Sequence, residues 1–240
     1  MIKEALEYLV ELGTARIETI GTQKFSTQPM HLIKSPTAKP ILLNSLSGLL
    51  NYLTSDFDVD ANQPLLAHIA SPSEVNVYSN CTPDLDRSVF VQAKALIPSF
   101  NFGQYYNIEE FNIALQSRFV ASETRSIILK IVGNIRDENV TTFGDDGVSQ
   151  QVTAKVGIAT VGNVRVPNPV FLKPYRTFVE IEQPESAFVL RLRSSSKDAP
   201  ECALFEADGG AWKNEAIDTI RHYLVQALGE KVDTKFFIIA

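Results

Sequence analysis

Arg165, Lys173, Arg176, Arg191 and Arg193 crowd into one stretch, with Asn168, Tyr175 and Phe178 interleaved. Guanidinium groups bind phosphate through two parallel hydrogen bonds, and aromatic rings can stack on a base. This mixture suits a nucleotide-like anion better than a bare sugar or a lipid. The competing expectation is structural: the arginines pair with Glu180, Glu182 and Glu185 on neighbouring strands and form a solvated face. The spacing leaves both open. On the binding reading Arg176 is exposed, so Arg176→Ala should abolish binding and leave the fold intact.

Other residues could do chemistry, each with a plainer reading. Asp145 and Asp146 lie between Gly144 and Gly147, where aspartates serve the turn itself. If they met Glu206 in space, the three carboxylates would suit a hydrolase of a phosphorylated small molecule. Gly209 and Gly210 could cradle an anion before a helix, but Asp208 would repel it, which favours a capped helix. The alternating acids of 56–60 lack the glycine and terminal glutamate of a calcium loop. His31, His68 and His222 are scattered, and no His-x-x-x-His spacing occurs. Cys81 and Cys202 are expected as reduced thiols in packed strands. No metal or cofactor is expected. The nucleophile elbow, the P-loop and the dinucleotide glycine fingerprint are missing, so non-catalytic binding is favoured over catalysis.

The elements that must position these residues follow from periodicity. Ile2, Leu6, Leu9 and Val10 share one helical face that stops at Gly13, the pattern of a short docking helix. One or two short strands are expected in 15–34, then a loop over 35–40. Asn44 or Ser45 caps a helix carrying Leu46, Leu49, Leu50 and Leu53. Segments 65–70, 74–79 and 88–97 read as an antiparallel meander. Asn107, with Glu110 three residues on, opens a helix burying Ile108, Phe111, Leu115 and Phe119. Ser122 opens another, with Ile127, Ile128, Ile131 and Ile135 inward.

Beyond it, an Asp-Gly turn at 143–147 leads as a hairpin into a strand with Val152, Ala154, Val156 and Ile158 on one face. Pro167, Pro169 and Pro174 exclude helix interior and central strand. Residues 175–181 resume a strand pattern and 183–186 turn the chain. Phe188, Leu190 and Leu192 then alternate with Arg191 and Arg193, which therefore share a face. A strand at 201–206, a glycine turn and a helix from Trp212 to Ala227 follow. The apolar tail 236–240 should add to the sheet or pack on a partner subunit. The expected fold class is α+β: mainly antiparallel sheet with four to five helices packed on it, in a single domain over 1–240, any sub-division falling near 136–140.

The 240-residue chain is 45% hydrophobic and 21% charged, with a net charge of −6. That balance allows a sizeable core and offers no broad positive field for duplex DNA or an anionic membrane. No apolar run reaches the length of a membrane span, and the first residues lack the pattern of a signal peptide. A cytoplasmic location is expected.

Two passages carry a resemblance. Residues 46–53 (LSGLLNYL) follow a proline-bearing loop, and 173–178 (KPYRTF) lead to 188–193 (FVLRLR). In this order they resemble proteins of bacteriophage and prophage genomes, including the YfdQ-like family. The resemblance implies a phage accessory protein working inside the bacterial host cell, and it brings no catalytic motif. With the basic and aromatic cluster, it leads to the expectation of a homo-oligomeric binding protein that sequesters a nucleotide-derived signal of host defence. Its site would be a pocket lined by Arg176 and by Arg191 or Arg193. The alternatives are a phage DNA-metabolism factor that binds single strands or a recombination protein, and the hydrolase above.

Overall fold

The computed structural model describes residues 2–21, 23–29, 37, 39–55, 57, 63–82, 85–134, 150–156, 160–194 and 200–240. They divide into two compact units, Met1–Thr37 and Ala38–Ala240. The region 136–140 lies outside the described residues. The first unit holds helix α1 (Ile2–Gly13) and the hairpin of β1 (Ile17–Ile20) with β2 (Gln23–Ser26). Gly13 ends the helix as expected, and none of this unit's described side chains is buried.

The second unit runs β3 (Ile41–Leu43), α2 (Leu46–Ser55), β4 (Leu65–Ser71), β5 (Glu74–Tyr78), β6 (Val89–Lys94), β7 (Tyr106–Asn107), α3 (Ile108–Arg118) and α4 (Glu123–Gly133). After these come β8 (Gln150–Val156), β9 (Thr160–Val166), β10 (Val170–Leu172), β11 (Ser186–Ser194), β12 (Pro200–Glu206), α5 (Trp212–Leu228) and β13 (Phe236–Ile239). The chain is α+β, with mostly antiparallel pairing.

One sheet has the order β13-β4-β5-β6-β3, and its centre is the expected meander. The apolar tail joins its edge, parallel to β4. Alternation turns Leu65, Ile69, Val75, Val77, Val91 and Ala93 to one side, against Leu46, Leu49 and Leu53 of α2 and Ile220 and Leu224 of α5. Ser45 Oγ accepts from the Gly48 N–H at 3.1 Å and caps α2.

The other large sheet has the order β10-β11-β12-β7. Phe188, Leu190 and Leu192 of β11 and Cys202 and Leu204 of β12 pack on Phe111 and Leu115 of α3 and Ile128 and Val132 of α4. Asn107 and Ser122 cap α3 and α4, each accepting from the backbone three residues on, at 2.8 and 3.0 Å. β10 sits at the sheet edge, where the prolines beside it cost no ladder bond.

Two expectations need correcting here. Ile127 points outward, and Val132 takes the inward place one helical repeat later. β8 pairs antiparallel with β9, and the Asp-Gly turn expected at 143–147 lies outside the described residues. Residues 175–181 form no strand. They belong to a loop held by Gln183, whose Oε1 accepts from the Arg176 and Thr177 N–H at 2.9 and 3.2 Å. Its Nε2 donates to the Phe178 and Ile181 carbonyls at 2.9 and 3.3 Å. A side chain thus does what a neighbouring strand was expected to do.

Candidate functional site

The cations clustered in sequence separate in space. Arg176 is buried, with only 7% of its surface exposed. It lies on the inner side of the four-stranded sheet, its guanidinium 4.0 Å from the Trp212 ring centre and 5.7 Å from that of Phe188. Nη1 donates to Glu206 Oε1 at 2.9 Å, and Nη2 donates to Ser186 Oγ. Ser186 Oγ in turn donates to Asp208 Oδ2 at 2.6 Å. Burial pulls the guanidinium below its ordinary pKa, against the opposing pull of Glu206 and Asp208. The reading of Arg176 as an exposed ligand contact is therefore corrected. Phe178 is corrected likewise: at 1% exposure it belongs to the core under the five-stranded sheet.

Asp208 combines two duties at this place. Its Oδ1 accepts from the Gly210 N–H at 3.0 Å, and the Trp212 N–H also binds the carboxylate. Burial opposes its charge, yet the bonds from Ser186, Gly210 and Trp212 and the charge of Arg176 prevail and hold its carboxyl below the usual range. The Asp208 carboxylate therefore sits at the start of α5 as expected, while Ala211 at the N-cap position makes no side-chain cap bond. Gly209 and Gly210, at φ +64 and +83, supply the left-handed turn.

Lys173 and Asn168 are also engaged. Lys173 Nζ meets Glu182 Oε1 at 2.6 Å, so Glu182 pairs with the lysine where the solvated-face reading gave it an arginine. Their mutual hydrogen bond raises the lysine pKa and lowers the carboxyl's. Glu180 instead accepts from Ser47, through its backbone N–H and its hydroxyl, both at 3.2 Å. Asn168 behaves like a strand neighbour: its Oδ1 accepts from the Leu190 N–H at 2.8 Å and its Nδ2 donates to the Leu190 carbonyl at 3.2 Å. Tyr175 is half-buried. Arg165 lies on β9, opposite Gln151, with its side chain outside the description.

Arg191 and Arg193 do share a face, the outer one, opposite the helices. They cannot line one pocket with Arg176, which sits across the sheet. The register brings new residues to them instead. Val189 pairs with Phe205, Arg191 with Ala203, and Arg193 with Glu201. On the edge strand Phe171 pairs with Ala187. Phe171 is 50% exposed and Phe205 36%. The Arg193 guanidinium lies 3.7 Å from the ring centre of Tyr105, which stands edge-on to Phe205 at 6.2 Å. Arg193 Nε also donates to Glu201 Oε2 at 2.8 Å. Gly103 supplies the positive φ, +80, of the turn beside the Phe205 ring. The outer face thus presents aromatic surface beside two guanidinium groups.

Sequence reasoning placed the arginines on this face and missed Tyr105, Phe171 and Phe205. The aromatic run 98–106 and the alternation of β12 were the available signals, but only the register joins them.

The carboxylate trio stays apart as a proposal. Glu206 is engaged by Arg176, and Asp145 and Asp146 lie outside the described residues. Among the described residues, no group of three or more His, Cys, Asp or Glu side chains could hold a metal ion, and no helix is long and apolar enough to cross a membrane. His68 rests half-buried beside Tyr78, and His222 is exposed; His31 is outside the description.

The two cysteines differ from each other. Cys202 is buried in β12, and burial pushes its thiol up to about 12. Cys81 is exposed and lies outside any strand, which corrects the expectation for it. A thiol reagent at neutral pH should therefore label one cysteine quickly in the folded protein and the second only on unfolding. Rapid double labelling, read by intact mass, would contradict this burial.

Compared with known proteins, the chain matches no family model, no curated protein and no solved structure.

Proposed function

We propose that this chain is a non-catalytic binding protein that takes a nucleotide-like anion on the outer face of its four-stranded sheet. The observation that carries the reading is the Arg193 guanidinium stacked on Tyr105, next to the exposed ring of Phe205 and on the same face as Arg191. A base gains from lying against such rings, and a phosphate gains from the guanidinium groups. The local charge matters because the whole chain is acidic, so attraction must be short-ranged. The resemblance to phage proteins adds the setting to this proposal. There, a homo-oligomer in the host cytoplasm would sequester a nucleotide-derived signal of host defence.

Glu201 pairs with Arg193, and an incoming phosphate competes with it. Arg193→Ala should weaken nucleotide binding about 10-fold, whereas Glu201→Gln should strengthen it several-fold. Calorimetric titration of the full chain with a panel of linear and cyclic nucleotides, at fixed salt, reads both. Equal affinities in the wild type and both variants would remove this face from consideration. A converted nucleotide recovered after incubation would replace sequestration by catalysis.

A further inference from the structure

We infer that the outer face holds two linked nucleobases rather than one, an inference that rests on the binding reading above. Two stacking positions are present. Phe205, with Tyr105 edge-on beside it, forms the first. Phe171 forms the second, on the far side of β11. Phe171 is level with Ala187, and Phe205 is level with Val189. Two strand spacings across and two residues along put the backbones of these aromatics on the order of 12 Å apart. Between them β11 presents Ala187 and Val189 on this face, two short, half-buried side chains.

One base cannot rest on both rings, but two bases on one phosphodiester chain can. Sheets that bind single strands place aromatics on their strands to take one base each, and here the two rings stand on strands separated by β11. Arg191 follows Val189 along β11 on the same face, and Arg193 lies two residues further on with its guanidinium over Tyr105, which sets the charge for the linking phosphate at the Phe205 end of the stretch. The same arrangement argues for a short ligand. A longer strand would carry further phosphates over a chain of net charge −6.

The chemistry is a pair of bases joined through phosphate, whether a cyclic dinucleotide or the end of a single strand. Calorimetric titration of the full chain should use AMP, the linear dinucleotide pApA, cyclic di-AMP and a ten-residue oligodeoxyadenylate. Both dinucleotides should bind at least about 10-fold more tightly than AMP, since one more stacked base is gained. The ten-residue strand should bind no more tightly than pApA. A preference for cyclic di-AMP over pApA would identify the small molecule as the source, and the reverse preference a strand end. Phe171→Ala should cost the dinucleotides at least about 10-fold in affinity and cost AMP far less, with an unaltered melting midpoint as the control for folding. Equal affinity for AMP and the dinucleotides, equal losses for both in Phe171→Ala, or affinity that rises with strand length would overturn the two-base inference while leaving the binding face in place. Failure of all four ligands to bind would overturn the binding reading itself.

Discussion

Gln183→Leu should cost about 4 kcal/mol of stability, roughly 8–16 °C in melting midpoint, although the residue touches no ligand. Gln183 is 4% exposed and serves two donors and two acceptors of the loop that contains it. Leucine fills a similar volume and leaves all four backbone groups without that partner. Buried, each such group costs about 1–3 kcal/mol, and relaxation of the loop reduces the sum. The loop matters beyond itself. It inserts Phe178 and Ile181 into the core of the five-stranded sheet, and Thr177 Oγ1 donates to the Pro72 carbonyl. Gln183→Glu keeps the oxygen that accepts from the two N–H groups but sets a second, charged oxygen against the Phe178 and Ile181 carbonyls in a buried place, so at neutral pH it should cost at least as much as leucine. Urea denaturation followed by circular dichroism checks the order. A loss below about 1 kcal/mol for leucine would mean that the loop does not depend on this side chain.

Arg176→Ala should cost about 2–4 kcal/mol and leave the nucleotide affinity of the folded protein unchanged. The substitution empties a buried space between Trp212 and Phe188 and strips Glu206 of its partner. Glu206 is 41% exposed and can turn to water, which keeps the cost below that of a fully buried orphan charge. The arginine is itself imperfectly matched: among the described residues, its Nε finds no acceptor, nor does the buried indole Nε1 of Trp212. Arg176→Met, which fills the space without the charge, should therefore recover at least half of the loss. Trp212 is the chain's one tryptophan, so the loss of the stacked cation can also be read in its emission. A stable Arg176→Ala protein that no longer binds nucleotide would restore this residue to the site and refute the placement given above.

Both expectations reverse what one dimension suggests about 173–186. Arg176, Phe178 and the alternating pattern of 175–181 look like an exposed binding strand when read as types and spacings. Fractional burial is decided by what lies above a residue. Here the covering groups are Trp212 and Glu206, at least thirty positions away in the chain.

What the sequence by itself determined is the local part of the structure. Asn107, Ser122 and Ser45 mark helix starts because their side chains satisfy N–H groups only three residues on. Gly13 and Gly229 mark helix ends, and the meander and the alternation of β11 follow from a period of two. These devices act over a few residues, so the α+β class and the shared face of Arg191 and Arg193 could be read directly. Only the tertiary structure decided which residues stand beside those arginines. Alternation assigns a side chain to a face of its own strand, but not to a neighbour. The register of β10, β11 and β12 brings Phe171, Phe205 and Tyr105 to that face and sends Arg176 across the sheet. Hydrogen bonding and burial between distant segments set that register, and no single stretch of the sequence encodes it.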